Sequence, residues 1–333
     1  MRRHFSYSAV LALLLTATFA GCRQEPLPET GDAIRFSVSS PILSVETKAD
    51  LVDDSNIGAV KLYGSKLSAG ATDKVTFFGA DGSASSTTLA KDPDGAWAYT
   101  PIKYWEQGAT YDFRAVYPSD ANVTTASNSD EIVVSGFSIG SSYDLMVAAK
   151  TGVSSAAQAG TAVPLEFKHA CAAVRFLFQD GDKNYFIKSF SLSGVTTSGT
   201  MTYNAANALP TWGSLGTTAY SWAGTSWEVP AAYDETGLEG WYFVVPQDLG
   251  DDAKLSFTYT VGSDGTQVIP VTIPLKGGVG VNTSSVTSWA RANAYTYKIK
   301  IQANAIDLDV KWGAWLGSDE HEYDLFDPVN VAG

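Results

Sequence analysis

The chain has 333 residues and a formal net charge of −13, with 45% hydrophobic and 12% aromatic residues. This apolar content excludes a disordered chain, and the acidic excess excludes the Lys- and Arg-rich surface that a nucleic acid requires. About 310 residues remain once an N-terminal signal is set aside, a length that favours two domains over one core.

The N-terminus has the layout of a bacterial secretory signal. Arg2 and Arg3 are followed by an apolar run and then by small residues up to Gly21. The run is too short to cross a bilayer, which takes roughly 20 predominantly apolar residues. Residues 19–22, FAGC, resemble a lipobox, in which the signal 1–21 is removed and the cysteine is acylated. Cys22 is therefore the expected lipidation site, and loss of the two arginines lowers the formal charge from −13 to −15.

A tether and a first strand follow the signal. Residues 22–32 are polar with two prolines and a glycine, which predicts a tether between the lipid and the folded part. Behind it, Ile34, Phe36 and Val38 alternate with small or polar residues, the pattern of a half-buried strand. Lys48 comes next, in the polar context SVETKAD, which is typical of an exposed loop.

The rest of the chain consists of short strand-like segments separated by turn signals such as Asp-Gly. Segments of this kind include TYDFRAVYP at 110–118, AVPLEFKH at 162–169, KLSFTYTVG at 254–262 and AYTYKIKIQ at 294–302. Since no amphipathic helix of three turns is recognisable, the pattern predicts an all-β protein of antiparallel β-sandwiches. A Ser/Ala/Gly-rich stretch at 151–162 is the expected boundary between an N-terminal domain, 33–162, and a C-terminal domain, 163–333.

The sequence contains no recognisable catalytic or metal-binding constellation. The histidines are His4 in the signal, His169 and His321, and there is no nucleophile elbow, phosphate loop, HExxH helix or CxxC pair. His169 lies in the apolar run HACAAVRFLF and is expected to be structural. Cys171, in the same run, has no cysteine with which to form an internal disulfide once Cys22 is acylated. We therefore expect no enzymatic activity, no metal and no cofactor.

Aromatic residues crowd the stretch 211–230, TWGSLGTTAYSWAGTSWEVP, where Gly and Thr favour a long loop. Trp212, Trp222 and Trp227 are candidate ligand residues, because aromatic rings on loops are a common binding device and can stack on glycan rings. The alternative is that these rings cover the ends of a sandwich or the seam between the domains.

The C-terminal tail contains a second segment with strand-like alternation. Four of its apolar residues share one parity: Tyr323, Leu325, Val329 and Val331. Asp327 breaks this face, and Pro328 lies within it. The acidic residues of the tail lack the spacing and glycine of a calcium loop, so the segment is a candidate strand and not an ion site.

Four stretches together resemble the fimbrillin family of Bacteroidetes, and their order along the chain matches. They are KYWEQGATYDFRAVYP at 103–118, DLMVAAK at 144–150, VPLEFKHACAAVRFLF at 163–178 and WYFVVPQ at 241–247. A closing stretch at 295–312 fits as well. The resemblance implies two tandem transthyretin-like β-sandwich domains, export as a lipoprotein, and a role as pilus subunit, tip or anchor at the outer membrane and cell surface.

The resemblance also implies proteolytic maturation at a basic residue near the first strand. Lys48 occupies that place, so a cut between Lys48 and Ala49 would remove the lipid and the first strand together. Arg35 is an alternative, but a cut there would leave Phe36 and Val38 behind. Another subunit would then fill the opened groove by donor-strand exchange, with the segment 323–331 as the candidate donor.

The expected partners are therefore other fimbrial subunits and, through the lipid on Cys22, the outer membrane, with adhesion to a host protein or glycan. If the chain is not cut, it would remain a lipid-anchored subunit. The alternative function is an uncleaved surface lipoprotein that binds a glycan or host protein through the aromatic stretch.

Overall fold

The computed structural model describes residues 32–40, 56–79, 86–124 and 130–314, except for 142, 159, 206–208, 223, 235–236, 239, 278–285 and 304. These residues form an almost wholly β structure, which confirms the predicted all-β class. Its helical parts are one turn of α-helix, α1 (Ser155–Gln158), and a 3₁₀ turn at Ile139–Ser141. The expected signal lies outside the described residues.

Ten described strands precede residue 170. They are β1 (Phe36–Ser39), β2 (Val60–Leu67), β3 (Val75–Phe78), β4 (Thr87–Lys91), β5 (Trp97–Ala98), β6 (Thr110–Tyr117), β7 (Glu131–Ser138), β8 (Met146–Ser154), β9 (Val163–Glu166) and β10 (Lys168–His169).

Thirteen described strands follow. They are β11 (Ala172–Asp180), β12 (Tyr185–Ser193), β13 (Ser198–Asn204), β14 (Thr211–Gly216), β15 (Tyr220–Ser221), β16 (Trp227–Glu228), β17 (Tyr242–Val244), β18 (Gln247–Asp248), β19 (Lys254–Val261), β20 (Ile269–Pro274), β21 (Ser288–Trp289), β22 (Asn293–Gln302) and β23 (Ala305–Ala314).

The N-terminal sandwich has one large and one small sheet. The large sheet is ordered β10-β8-β6-β2-β4-β5, with β3 paired to β2, and the small sheet consists of β1 and β9 in parallel. Alternate residues of β6, among them Tyr111, Phe113 and Ala115, face the core between the two sheets. Ile34 and Phe36 enter the same core from the small sheet, so β1 contributes directly to the packing of this sandwich.

The C-terminal sandwich packs a four-stranded sheet, β17-β11-β22-β23, against a five-stranded one, β15-β12-β19-β20 with β16 paired to β12. Along β12 the buried residues Ile187 and Phe190 are three positions apart, because a register shift against β19 lies between them. The first seven residues of β11 are all buried, and all of them except Arg175 are apolar, as expected of a strand with a neighbour on each side within a sandwich.

A third core joins the two sandwiches. The three-stranded sheet β14-β13-β7 combines β7 from before the expected domain boundary with β13 and β14 from after it. We call the cluster beneath it the middle core, and it contains Phe137 of β7, Met201 of β13, Ala173 of β11 and Phe243 of β17. The two halves of the chain therefore share buried apolar surface.

Strand pairing bears on where the N-terminal sandwich ends. β9 and β10 follow the expected boundary at residue 162, yet β9 pairs with β1 and β10 pairs with β8. Val163, Leu165 and Phe167 also belong to the N-terminal core. β9 and β10 therefore pack with the N-terminal sandwich, and the domain ranges 33–162 and 163–333 stay a prediction.

Candidate functional site

The first strand is present as a half-buried strand, as the alternation of residues 33–39 predicted. Ile34 and Phe36 are 1% and 4% exposed, and Val38 is half-buried, whereas Arg35 and Ser37 face solvent. Strand formation follows from the sequence pattern, because period-two alternation places all three apolar side chains on one face. That face is turned into the N-terminal core.

One edge of β1 is bound to β9. The two strands run parallel, with Phe36 opposite Val163 and Val38 opposite Leu165. The amide of Val163 donates to the Arg35 carbonyl at 2.8 Å. The amide of Phe167 donates to the Ser39 carbonyl, also at 2.8 Å. Among the strands that the structure describes, β1 pairs with β9 alone.

Residues 32–34, directly before β1, are bound to the segment 103–105. The Ile34 amide donates to the Lys103 carbonyl at 2.9 Å, and the Trp105 amide donates to the Asp32 carbonyl at 3.1 Å. The Tyr99 hydroxyl donates to the Ile34 carbonyl at 2.8 Å. The strand thus lies in a groove, which we call the first-strand groove, between β9 and the segment 103–105.

Three aromatic rings form the floor of this groove around Phe36. The Phe36 ring centroid lies 5.7 Å from Phe78, 5.8 Å from Tyr99 and 5.1 Å from Phe113, each in a T-shaped arrangement. We call these three rings the aromatic box. Such edge-to-face pairs stabilise by about 0.5–1.5 kcal/mol each beyond the buried area, so Phe36 is the main anchor of β1.

Lys103 supports the wall of the groove. Its Nζ donates to the Phe77 carbonyl at 2.5 Å and lies 4.7 Å from the centre of the Phe77 ring and 5.4 Å from that of Phe78. The ammonium group therefore ties the segment 103–105 to β3 through a hydrogen bond and cation–π contacts. This contact helps to hold the Lys103 carbonyl that accepts from the Ile34 amide.

Several predicted site residues lie outside the described residues. They are Cys22, Lys48, Ala49, Tyr323, Leu325, Val329 and Val331. Arg35, the alternative cleavage residue, has an exposed side chain but lies within the hydrogen-bonded stretch of the groove. A protease would have to lift β1 before cutting there.

The prediction of a long loop at 211–230 was wrong, because β14, β15 and β16 lie within it. Their partners are β13 and β12, and pairing with a preformed neighbouring strand orders segments that are too short to be recognised alone. Trp212 lies on β14, where its Nε1 donates to the Ala170 carbonyl at 3.0 Å and its ring lies 5.0 Å from that of Phe137. It packs against the middle core.

Trp222 and Trp227 belong to a different part of the molecule from Trp212. Both are half-buried against the C-terminal core, and the Trp227 ring lies 6.0 Å from that of Phe178. The structure therefore does not bring the three candidate ligand residues together. Their packing agrees with the alternative that they cover the sandwich and the seam.

His169 makes a buried contact that the sequence did not reveal. Its Nδ1 lies 2.7 Å from Oδ2 of Asp144, and both side chains are fully buried. Its backbone carbonyl accepts from Arg291 at 2.9 Å, which links β10 to the C-terminal half. Cys171 lies nearby in the middle core, where burial raises the pKa of its thiol. These contacts give His169 a place in the seam between the two halves.

The described part of the chain contains no group of three His, Cys, Asp or Glu side chains that could hold a metal ion. Among these same residues, no helix is both long and apolar enough to span a bilayer.

A family model for fimbrillin-like proteins matches residues 48–315. The chain belongs to the fimbrillin-like family. This confirms the resemblance seen in the sequence. The match begins at Lys48 and ends at Trp315, so β1 and the tail lie outside it. Family membership supports the role of a structural subunit in a cell-surface appendage.

Solved structures share the fold of this fimbrillin-like chain. A fimbrial protein from Bacteroides vulgatus has a TM-score of 0.55 at 16% identity, over 85% of this chain and 99% of that protein. A candidate cell-adhesion protein from Bacteroides ovatus has a TM-score of 0.52 at 12% identity, over 87% and 99% of the two chains. At these identities the likeness shows the fold alone. No curated protein matches the chain.

Proposed function

We propose that this fimbrillin-like chain is an exported lipoprotein that becomes a pilus subunit by exchanging β1 for a strand of another subunit. The observation that carries the proposal is the position of β1 in the first-strand groove. Of the described strand pairings, removal of β1 breaks only the pairing with β9. Removal of β1 also uncovers the aromatic box. A strand so placed can leave without dismantling the large sheet.

The energy available to a replacement strand follows from the burial of β1. Full burial of a large apolar side chain stabilises by about 1.5–3 kcal/mol, so Ile34 and Phe36 together represent about 3–6 kcal/mol. An empty groove also leaves the edge of β9 open, and an open edge pairs readily with an added strand. A second chain with apolar side chains at alternate positions would restore both the buried apolar surface and the pairing with β9.

Proteolysis between Lys48 and Ala49 would release β1 together with the lipid on Cys22. The cut falls in the segment that follows β1. The family match begins at Lys48, the residue before the cut. The tail that contains Tyr323, Leu325, Val329 and Val331 is the proposed donor for the next subunit. The partners are thus other fimbrial subunits, and before cleavage the chain is attached to the outer membrane through Cys22.

The alternative function, capture of a glycan or host protein by Trp212, Trp222 and Trp227, has no supporting observation in the structure. Their rings are divided between the middle core and the C-terminal core. We therefore do not propose them as a binding platform.

The test is the N-terminus of the protein recovered from cells, with sheared surface fibres and outer membranes analysed separately by intact mass and terminal sequencing. We expect fibre material to begin at Ala49 and to lack β1. A Lys48→Gln variant should stay at the membrane, whereas Lys150→Gln, which alters an exposed lysine on β8, should still enter fibres. Protein found only in membranes, with an acylated Cys22, would refute the proposal.

A further inference from the structure

The aromatic box accommodates a ring better than an aliphatic side chain. The planes of Phe78, Tyr99 and Phe113 are inclined to the Phe36 ring by 69°, 65° and 87°, so all three contacts are edge to face. Contacts of this type require an aromatic partner on each side. A smaller side chain at this position would leave a void, because protein interiors are close-packed and relax only in part.

Tyr99 contributes both to the box and to the backbone contacts of the groove. Its hydroxyl donates to the Ile34 carbonyl at 2.8 Å and accepts from the Lys103 amide at 3.3 Å. Burial raises the pKa of Tyr99, so the hydroxyl keeps its proton and remains a donor. Because every residue type carries a backbone carbonyl, this hydrogen bond sets the register of the strand in the groove. It does not select a particular side chain.

The Ile34 position imposes a second condition on the occupant. Its amide donates to the Lys103 carbonyl at 2.9 Å, so a proline would remove this hydrogen bond. Its side chain is 1% exposed in the N-terminal core, so an acidic residue would carry a buried charge.

We propose that the first-strand groove selects a donor strand that runs parallel to β9, places an aromatic ring in the box at the Phe36 position, and presents the carbonyl two residues earlier to the Tyr99 hydroxyl. The inference rests on the proposed strand exchange and specifies the partner. The Tyr99 hydroxyl sets the register of the donor strand, and the aromatic ring of the donor anchors the strand in the box.

One register of the tail of a second copy places an aromatic ring in the box. With Tyr323 at the Phe36 position, His321 takes the Ile34 position, where its amide can donate to the Lys103 carbonyl and its imidazole replaces an apolar side chain. Pro328 then lies beyond the paired stretch. With Val329 at the Phe36 position, Asp327 would fall at the buried Ile34 position. Of these two registers, the first fits the groove better, because it supplies an aromatic ring and avoids a buried carboxylate.

A strand-exchange assay on the full chain tests the selection. A single protease site is introduced within residues 41–55, and the protein is cut there after folding to leave β1 without a covalent link to the rest of the chain. The probe is a fluorescent peptide of residues 32–40, DAIRFSVSS, and anisotropy follows its uptake. A Phe36→Ala peptide is compared with a Ser37→Ala peptide, whose changed side chain faces solvent. Tyr99→Phe protein is compared with Tyr203→Phe, in which a tyrosine of the middle core, away from the groove, loses its hydroxyl.

We expect Phe36→Ala to weaken uptake of the peptide about 100-fold and Tyr99→Phe to weaken it about 5-fold, with both controls within about 2-fold of the parent. Equal uptake of the Phe36→Ala and Ser37→Ala peptides, or unchanged uptake by Tyr99→Phe protein, overturns the selection rule while strand exchange stands. Failure of the nicked protein to take up even the parent peptide overturns the proposed function itself.

Discussion

Replacement of Phe36 by alanine is expected to destabilise the N-terminal sandwich by about 3–5 kcal/mol. The side chain is 4% exposed, and its ring contacts three other rings at 5.1–5.8 Å. The void cannot close easily, because Phe78 is held on β3 and Phe113 on β6, each within the large sheet. A loss of this size is a large fraction of the 5–15 kcal/mol that is typical of a whole domain.

Urea unfolding followed by tryptophan fluorescence measures the change in the uncut chain. Trp105 lies 6.1 Å from Phe113 between ring centroids and reports on this core. Arg35→Ala is the matched control on the same strand, and its exposed side chain predicts a change within about 0.5 kcal/mol. A loss of less than about 1 kcal/mol for Phe36→Ala would mean that β1 is not an integral part of the core, and the reasoning on the groove would fail.

Three further outcomes can be checked. Cys171 should resist thiol reagents in a folded Cys22→Ser chain and react after unfolding, because its thiol is buried and the pKa of that thiol is raised; rapid labelling of the folded chain would contradict this. Burial raises the pKa of Tyr63 to about 12 from 10.0, so the unfolded chain loses this proton first. The free energy of unfolding should therefore fall as the pH rises from about 10 towards 12. In thermal melts over this range, the melting temperature of Tyr63→Phe should fall less than that of the parent, and an equal fall would contradict the prediction. Tyr323→Ala should impair fibre assembly more than Val331→Ala in electron micrographs, and equal assembly would argue against the proposed register.

The alternation of Ile34, Phe36 and Val38 was sufficient to predict a half-buried first strand, because the period of a strand is a local property of the sequence. Its partner could not be predicted in the same way. β9 lies more than a hundred residues further along the chain, and a parallel register is set by tertiary packing and not by a hairpin turn. Tyr99 carried no local signal for its role, since its hydroxyl bonds to a backbone carbonyl contributed by a distant strand.

The aromatic stretch shows the opposite difficulty. Gly and Thr around Trp212, Trp222 and Trp227 indicated a loop, yet these residues lie on short strands at the edges of sheets or directly beside them. A two-residue strand such as β15 becomes recognisable only when the strand that orders it is known. The buried contact between His169 and Asp144 was missed for a related reason, because the two residues are far apart in sequence and meet through β10 and β8.

The shared middle core limits how a gene for this protein can recombine. β7 from the first half pairs with β13 from the second, and residues of both halves fill one apolar cluster. A crossover with a related gene near residue 162 would join two partial clusters whose side chains had not evolved together. The two sandwiches are therefore expected to be inherited as one unit, and relatives should diverge by changes in loops and not by exchange of domains.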